Sequence, residues 1–283
     1  MIRRLAVVGL GLLGGSVAKA ARAQGVATEI VGVGRDPARM EAARRDGTVD
    51  VVTTDLAAGL RDTDLTVLAT PVRALDRLLE DVARAVGPET IVTDVGSTKA
   101  AIVAAAGRLA RAHPFRFVGS HPMAGSEQSG YAHARTDLFR GATVIVTPTE
   151  QSEPSAVKMV TAFWEALGAR RVLSLDPDTH DRAVAAISHL PHLAAFALVD
   201  AVERFEPGAF DVAAGGFRDT TRIAASDPVV WEEIFLANRE ALAAGLDAFR
   251  GAIADLERLI AAGDSAELRA ALARIKARRE ELR

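Results

Sequence analysis

Short β-branched runs alternate with longer Ala-rich stretches of helical period through the first half of the chain. Leu5–Val8 is an unbroken apolar run, which reads as a strand buried on both faces, and Gly14–Ala23 follows with helical spacing. Glu29–Val33 is a second strand. Asp36-Pro37 then opens a helix, with Asp as N-cap and Pro at the first helical position. Leu65–Thr70 is a further strand, stopped by Pro71 and followed by a helix over Ala74–Val86. Ile91–Asp94 is a strand and Thr98–Arg111 a helix. Phe115–Gly119 and Thr143–Thr147 read as strands, Ser155–Leu167 as a helix and Arg171–Leu173 as a last strand. Alternation of this kind predicts an α/β fold, a parallel sheet with helices on both faces.

Beyond Asp176-Pro177 the strand signal disappears. Thr179–Phe205 is long, very apolar and helical, and Glu206-Pro207-Gly208 breaks it. Gly215-Gly216 is a second break. Asp227-Pro228 caps a helix through Trp231 and Phe235, and Asp264 with Glu267 forms a capping box for a final charged helix. The change of period puts the domain boundary near residue 175, with residues 1–175 in one domain and 176–283 in an all-α second.

Composition narrows the class. With 49% apolar and 25% charged residues over 283, the chain has material for two ordinary globular cores. A net charge of −3 gives no reason to expect nucleic acid or an anionic membrane surface as partner. The absence of cysteine excludes disulfides, thiolate metal ligands and a Cys nucleophile. The N-terminal apolar run breaks into glycines and lacks a signal-peptide layout. The apolar stretch Ala183–Val202 holds Ser188, His189, Pro191, His192 and Asp200, and reads as too polar for a membrane span. A cytoplasmic protein is expected.

The first strand runs straight into Gly9-Leu10-Gly11-Leu12-Leu13-Gly14, a G-x-G-x-x-G pattern that opens a helix. That strand–loop–helix context makes it a dinucleotide fingerprint rather than a chance glycine cluster. Gly9 makes the tight turn, Gly11 lets the backbone approach a pyrophosphate, and Gly14 permits close packing. The N–H groups at Leu12, Leu13 and Gly14 face the phosphates. The first domain is therefore expected to be a Rossmann-type doubly wound sheet. Thr70 and Pro71, where the Leu65–Thr70 strand stops, are counted with the cofactor-binding residues. The second strand normally ends in an acid that binds the ribose 2′-hydroxyl of NAD, but here it ends in Gly34, then Arg35. A missing carboxylate leaves room for a 2′-phosphate, and a guanidinium pairs with it. Asp36 is open to two readings, ribose ligand or N-cap. The balance favours NADP, with NAD the alternative.

Hydride transfer from a carbinol needs a base for the hydroxyl proton, and histidine suits neutral pH. Of six histidines, His121 stands out, because Gly119–Gly125 is expected at a strand end, where open α/β sheets bind ligands. Ser97 either caps the following helix or holds the base or the substrate hydroxyl. His189 and His192 share a helix face with Ser188 inside an apolar stretch, where polar groups need partners. A metal site there lacks a third ligand at close spacing, and none is expected. Arg218 and Arg222, after the Gly215-Gly216 break, suit an anionic substrate or are solvated surface arginines.

Taken together, the glycine loop, Asp94–Lys99, His121–Gly125 with Glu127, Ser188–His192 and Gly215–Trp231 resemble the prephenate/arogenate (cyclohexadienyl) dehydrogenase family over nearly the whole chain. The resemblance implies hydride transfer from C4 of a cyclohexadiene to a nicotinamide, loss of the ring carboxylate as CO₂, and aromatisation, in tyrosine biosynthesis. It implies His121 as the base, Ser97 bonded to it and to the hydroxyl, and Arg222 on a substrate carboxylate. His192, Ser188 and His189 would line the side-chain end. Glu127 and Asp219 would gate the pocket, and Trp231 would be offered by a neighbouring subunit. A homodimer through the helical domain is implied; as a departure from some members, no fused chorismate mutase and no appended regulatory domain are expected here. The alternatives are an imine or β-hydroxyacid reductase on the same scaffold, or a non-catalytic dinucleotide sensor. His121 and Arg222 together argue against the first, and the set His121, Ser97 and Arg222 against the second.

Overall fold

The computed structural model describes residues 1–125 and 128–282. The chain begins β1 (Ile2–Val8), α1 (Leu12–Ala23), β2 (Ala27–Val33), α2 (Pro37–Arg45), β3 (Val51–Thr53), α3 (Leu56–Leu60), β4 (Leu65–Leu68), α4 (Val72–Ala85), β5 (Ile91–Asp94), α5 (Ala100–Leu109) and β6 (Arg116–Phe117). These strands form one parallel six-stranded sheet in the order β3-β2-β1-β4-β5-β6. One core, with Leu5, Val7, Ile30, Val67 and Trp164, fills one face, and a second, with Val8, Val31, Leu68, Leu79 and Ile102, fills the other. Burial on both faces explains the unbroken apolar run Leu5–Val8 of β1 and the complete burial of β4. The doubly wound arrangement expected from the alternation is present.

Three features depart from the sequence reading. β3 and α3 are too short for a periodic signal, three and five residues, and were not anticipated. The expected strand Phe115–Gly119 is two strands in two sheets. β6 closes the parallel sheet, and after Val118 the chain enters β7 (Gly119–Pro122), which pairs antiparallel with β8 (Thr143–Thr147). The helix α6 (Pro154–Ala166) follows, and β9 (Arg171–Ser174) pairs parallel with β8. His121 therefore stands within a strand, opposite Ile145, and not in a loop at a strand end.

The third departure is in the apolar stretch. α7 (Pro177–Val184) and α8 (Leu190–Phe205) are joined without a break by a π-helical turn over Ala185–His189. A proline inside a helix removes a donor and crowds the preceding turn. The widened turn before Pro191 accommodates it, and such turns recur at functional sites. By length and composition Pro177–Phe205 does reach what a membrane-crossing helix requires, contrary to the sequence expectation. Yet His180, Asp181 and His189 within it are buried in a polar network, which a lipid-embedded helix does not offer. α9 (Gly215–Thr221) and α10 (Pro228–Ala237) complete the first compact unit, Met1–Asn238. The second unit, Arg239–Arg283, contains α11 (Arg239–Ala262) and α12 (Ser265–Glu280). Asp264 caps α12 by accepting from Ala266 N and Glu267 N.

Candidate active site

The glycine loop is shaped by close approach. Gly9 has φ +97°, and a Cβ on it would stand 2.6 Å from the Ala69 carbonyl oxygen. At Gly14 a Cβ would lie 1.9 Å from the Gly9 carbonyl oxygen and 2.8 Å from Ala69 Cβ. The third glycine thus lets α1 press on the loop itself and on the residue after β4. Gly11 is the N-cap of α1, with no side-chain cap and open space over its α-carbon. Leu12 and Leu13 form the first turn, Leu13 packing into the core. Thr70 Oγ1, beside Gly9, is buried without a hydrogen-bond partner among the described residues. Free backbone donors at a helix start, open space and an orphaned hydroxyl fit the pyrophosphate of a dinucleotide. Pro71 is the exposed N-cap of α4. Gly14→Ala is expected to raise the dinucleotide Kd more than about tenfold, a cost of about 1.4 kcal/mol, read by titration calorimetry.

At the end of β2, a Cβ on Gly34 would meet Met40 Sδ at 2.7 Å, so no acid stands there without Met40 moving. Asp36 Oδ1 accepts from Ala38 N at 3.0 Å, and its carbonyl accepts from Met40 N, placing it at the head of α2. Arg35 is exposed beside it.

His121 is buried, and its Nδ1 lies 2.9 Å from His180 Nε2. His180 Nδ1 is 2.7 Å from Asp181 Oδ1. A carboxylate only accepts, so His180 carries a proton on Nδ1, and in the neutral ring its Nε2 then accepts from His121 Nδ1–H. The lone pair of His121 is then on Nε2. Burial, the neighbouring His180, the Lys99 cation and His189 hold the His121 pKa well below the usual histidine value, so the ring is neutral and able to take a proton. Asp181 also accepts from Lys99 N (2.7 Å) and Ala100 N (2.9 Å). Burial alone would raise its pKa; the bonds from His180, Ala100 and Lys99 outweigh it and keep the carboxylate ionised.

These bonds correct one reading of Ser97. The helix starts at Ala100 with Lys99 as N-cap, and its first donors go to Asp181 rather than to Ser97. Ser97 stands partly exposed in the loop between β5 and α5. Beneath that loop Lys99 Nζ pairs with Asp94 Oδ2, both side chains fully buried. Asp94 also accepts from Gly96 N (2.8 Å) and Ser120 N (3.2 Å). Ser120 donates to the Asp94 carbonyl (2.6 Å), and its oxygen accepts from Trp164 Nε1 (3.0 Å) and Thr93 Oγ1 (2.9 Å). The residue beside His121 is thereby fastened to the end of β5.

On the helical side, His189 Nδ1 accepts from Asn238 Nδ2 at 3.2 Å, and the same amide donates to the Asp181 carbonyl at 2.8 Å. Burial, against the pull of Asp181, lowers the His189 pKa to about 4. His192 donates from Nδ1 to the Ser188 carbonyl at 2.9 Å. Burial and the Arg222 charge lower its pKa, opposed by that bond, which places Arg222 in its electrostatic reach. Trp231 stacks on His192 at 3.5 Å and 20°. Trp231, which the resemblance would have offered by a neighbouring subunit, stands on α10, which lies along α8 of its own chain. Asp219 is exposed on α9. Glu127 lies outside the described residues.

His180, Asp181 and Asn238 were missed as site residues by the sequence reading. Asp181 is 82 residues from its partner Lys99 and Asn238 is 57 from Asp181, so no local spacing signals them. The adjacent pair His180-Asp181, two polar residues opening an apolar helix, was the available hint.

A dinucleotide cradle and a buried neutral histidine in one chain point to a nicotinamide-dependent dehydrogenase. Residues 17–173 match the prephenate dehydrogenase nucleotide-binding domain, and residues 176–274 the prephenate dehydrogenase dimerization domain. The chain is 35% identical over 257 residues to the prephenate dehydrogenase of Bacillus subtilis (strain 168), covering 89% of this chain and 68% of that protein. It superposes with TM-score 0.92 and 33% identity on the crystal structure of prephenate dehydrogenase from A. aeolicus in complex with hydroxyphenyl propionate and NAD+, covering 100% of this chain and 99% of that one. A Synechocystis arogenate dehydrogenase structure gives TM-score 0.87 at 33% identity, with coverage of 98% and 99%. The chain belongs to the prephenate dehydrogenase family, whose chemistry is the oxidative decarboxylation of prephenate or arogenate in tyrosine biosynthesis. It is a dehydrogenase of that family and takes a nicotinamide dinucleotide.

Proposed function

We propose that this chain oxidises and decarboxylates prephenate or arogenate with NADP+, using His121 as the base. The observation that carries the reading is the buried His121 whose Nδ1 is engaged by His180, leaving Nε2 to take the 4-hydroxyl proton. The bound nicotinamide supplies the hydride acceptor. Ser97 orients the hydroxyl, and Arg222 binds a substrate carboxylate. Ser188, His189 and His192 line the side-chain end, where Trp231 closes one wall, while Asp219 and Glu127 gate entry. Residues 1–175 hold the cofactor, and residues 176–283 serve substrate binding and a homodimer. A cytoplasmic location suits the reaction.

Three observations support NADP+. Arg35 is exposed, Asp36 is engaged at the head of α2, and a side chain at Gly34 would have to displace Met40 Sδ. A guanidinium–phosphate pair contributes about 1.5–3 kcal/mol. Arg35→Ala is therefore expected to raise the KM for NADP+ at least about tenfold and leave that for NAD+ within about twofold. Steady-state kinetics with both substrates and both cofactors test the whole reading. A wild-type preference for NAD+ would overturn the cofactor assignment, and no turnover of either substrate would overturn the activity.

A further inference from the structure

Given His121 as the base, we propose that His180 and Asp181 form a proton relay behind it, so that the proton taken from the substrate ends as positive charge on His180 and not on His121. The chain of atoms is continuous: His121 Nδ1 to His180 Nε2 at 2.9 Å, and His180 Nδ1 to Asp181 Oδ1 at 2.7 Å. Before reaction the Asp181 carboxylate accepts from His180 Nδ1–H, and His180 Nε2 accepts from His121 Nδ1–H. The substrate O–H bond breaks and its proton joins His121 Nε2, as the C4–H bond delivers hydride to the nicotinamide and the C–O bond becomes a carbonyl. The Nδ1 proton of His121 passes to His180 Nε2. His121 is again neutral, now with its proton on Nε2, and His180 is an imidazolium against the Asp181 carboxylate. No further reactant is required.

Electrostatics gives the direction. His121 is buried among His180 on α7, Lys99 at the head of α5 and His189 in the π-turn, and among the described residues a cation there has no adjacent anion of its own. Lys99 is already matched by Asp94 on β5. His180 has a carboxylate in direct contact, itself fixed by the Lys99 and Ala100 N–H groups. A cation paired at 2.7 Å with a carboxylate is better placed than one desolvated beside another cation. Asp181 thus both caps α5, which carries the Ser97 loop at its entrance, and receives the charge.

His180 is a positioning residue with respect to substrate, so its test needs a readout that packing does not move. With substrate deuterated at C4, so that hydride transfer limits turnover, the wild-type rate across H₂O–D₂O mixtures is expected to follow a bowed proton inventory, two protons being in flight. His180→Gln keeps a hydrogen bond to His121 but accepts no proton. It is expected to give a linear inventory, a kcat lowered roughly ten- to hundredfold and a KM within about twofold. A linear wild-type inventory overturns the relay, as does His180→Gln with wild-type kcat. Should that variant fail to fold, the wild-type inventory alone decides. His121→Asn separates the underlying reading: activity retained there removes the base, whereas an inactive His121→Asn with an unchanged His180→Gln removes only the relay.

Discussion

Replacing His121 by Asn is expected to lower kcat at least about a hundredfold while NADP+ affinity stays within about twofold. The size follows from what a positioned base contributes, about 10²–10⁴ in rate. Cofactor affinity is spared because the proposed phosphate cradle, Gly9–Gly14 and Thr70, lies between β1 and α1 and just past β4, whereas His121 sits in a different sheet. Asparagine keeps a side chain able to bond His180, so the β7 backbone need not move. Single-turnover absorbance of the reduced nicotinamide, with fluorescence titration of cofactor, separates the two effects. Unchanged kcat would remove His121 from the base role. The wild-type pH profile is a companion test. A base with a lowered pKa remains neutral below the ordinary histidine value and is lost only as pH falls through its own. Where His121 itself holds the proton, the acid limb of kcat/KM is therefore expected well below pH 6.5, whereas a relay to His180 would free the limb from the His121 pKa.

Lys99→Met carries the second large effect, this time on stability. Lys99 and Asp94 are both completely buried and paired. Removing one partner of such a pair leaves an uncompensated charge, at a cost of about 3–5 kcal/mol. The bonds from Gly96 N and Ser120 N soften the loss without neutralising the carboxylate. The double variant Asp94→Asn/Lys99→Met, with no charge left to bury, is expected to recover most of that loss. Urea unfolding midpoints at constant m-value measure both. A single variant as stable as the wild type would show that the pair does not hold the β5–α5 loop. Because the Lys99 cation also lowers the His121 pKa, the acid limb of any residual activity is expected to move up in this variant.

Both effects come from groups whose importance reached the sequence unevenly. The glycine loop was legible because its chemistry is local. Strand, glycines and helix follow one another along the chain, and φ +97° at Gly9 and the 1.9 Å approach at Gly14 admit little besides glycine. The parallel sheet was legible for a similar reason, since burial on both faces leaves apolar runs of strand length. His121 was legible as a residue of interest, but its setting was not. Its short strand resembles a loop until β8 arrives to pair with it. The change of sheet at Val118 has no periodic signature, because two short strands in succession read as one.

The sequence by itself determined that this chain builds a dinucleotide cradle on a doubly wound sheet and follows it with helices. Periodicity, turn residues and a six-residue motif carry that information within short windows. Only the tertiary structure decided which polar groups meet behind the base. The Asp181 carboxylate caps the start of a helix 81 residues earlier and holds His180, while Asn238 ties the Asp181 backbone carbonyl to His189. Those contacts depend on where helices dock, and docking is governed by apolar faces that carry no record of which buried histidine they bring against which carboxylate.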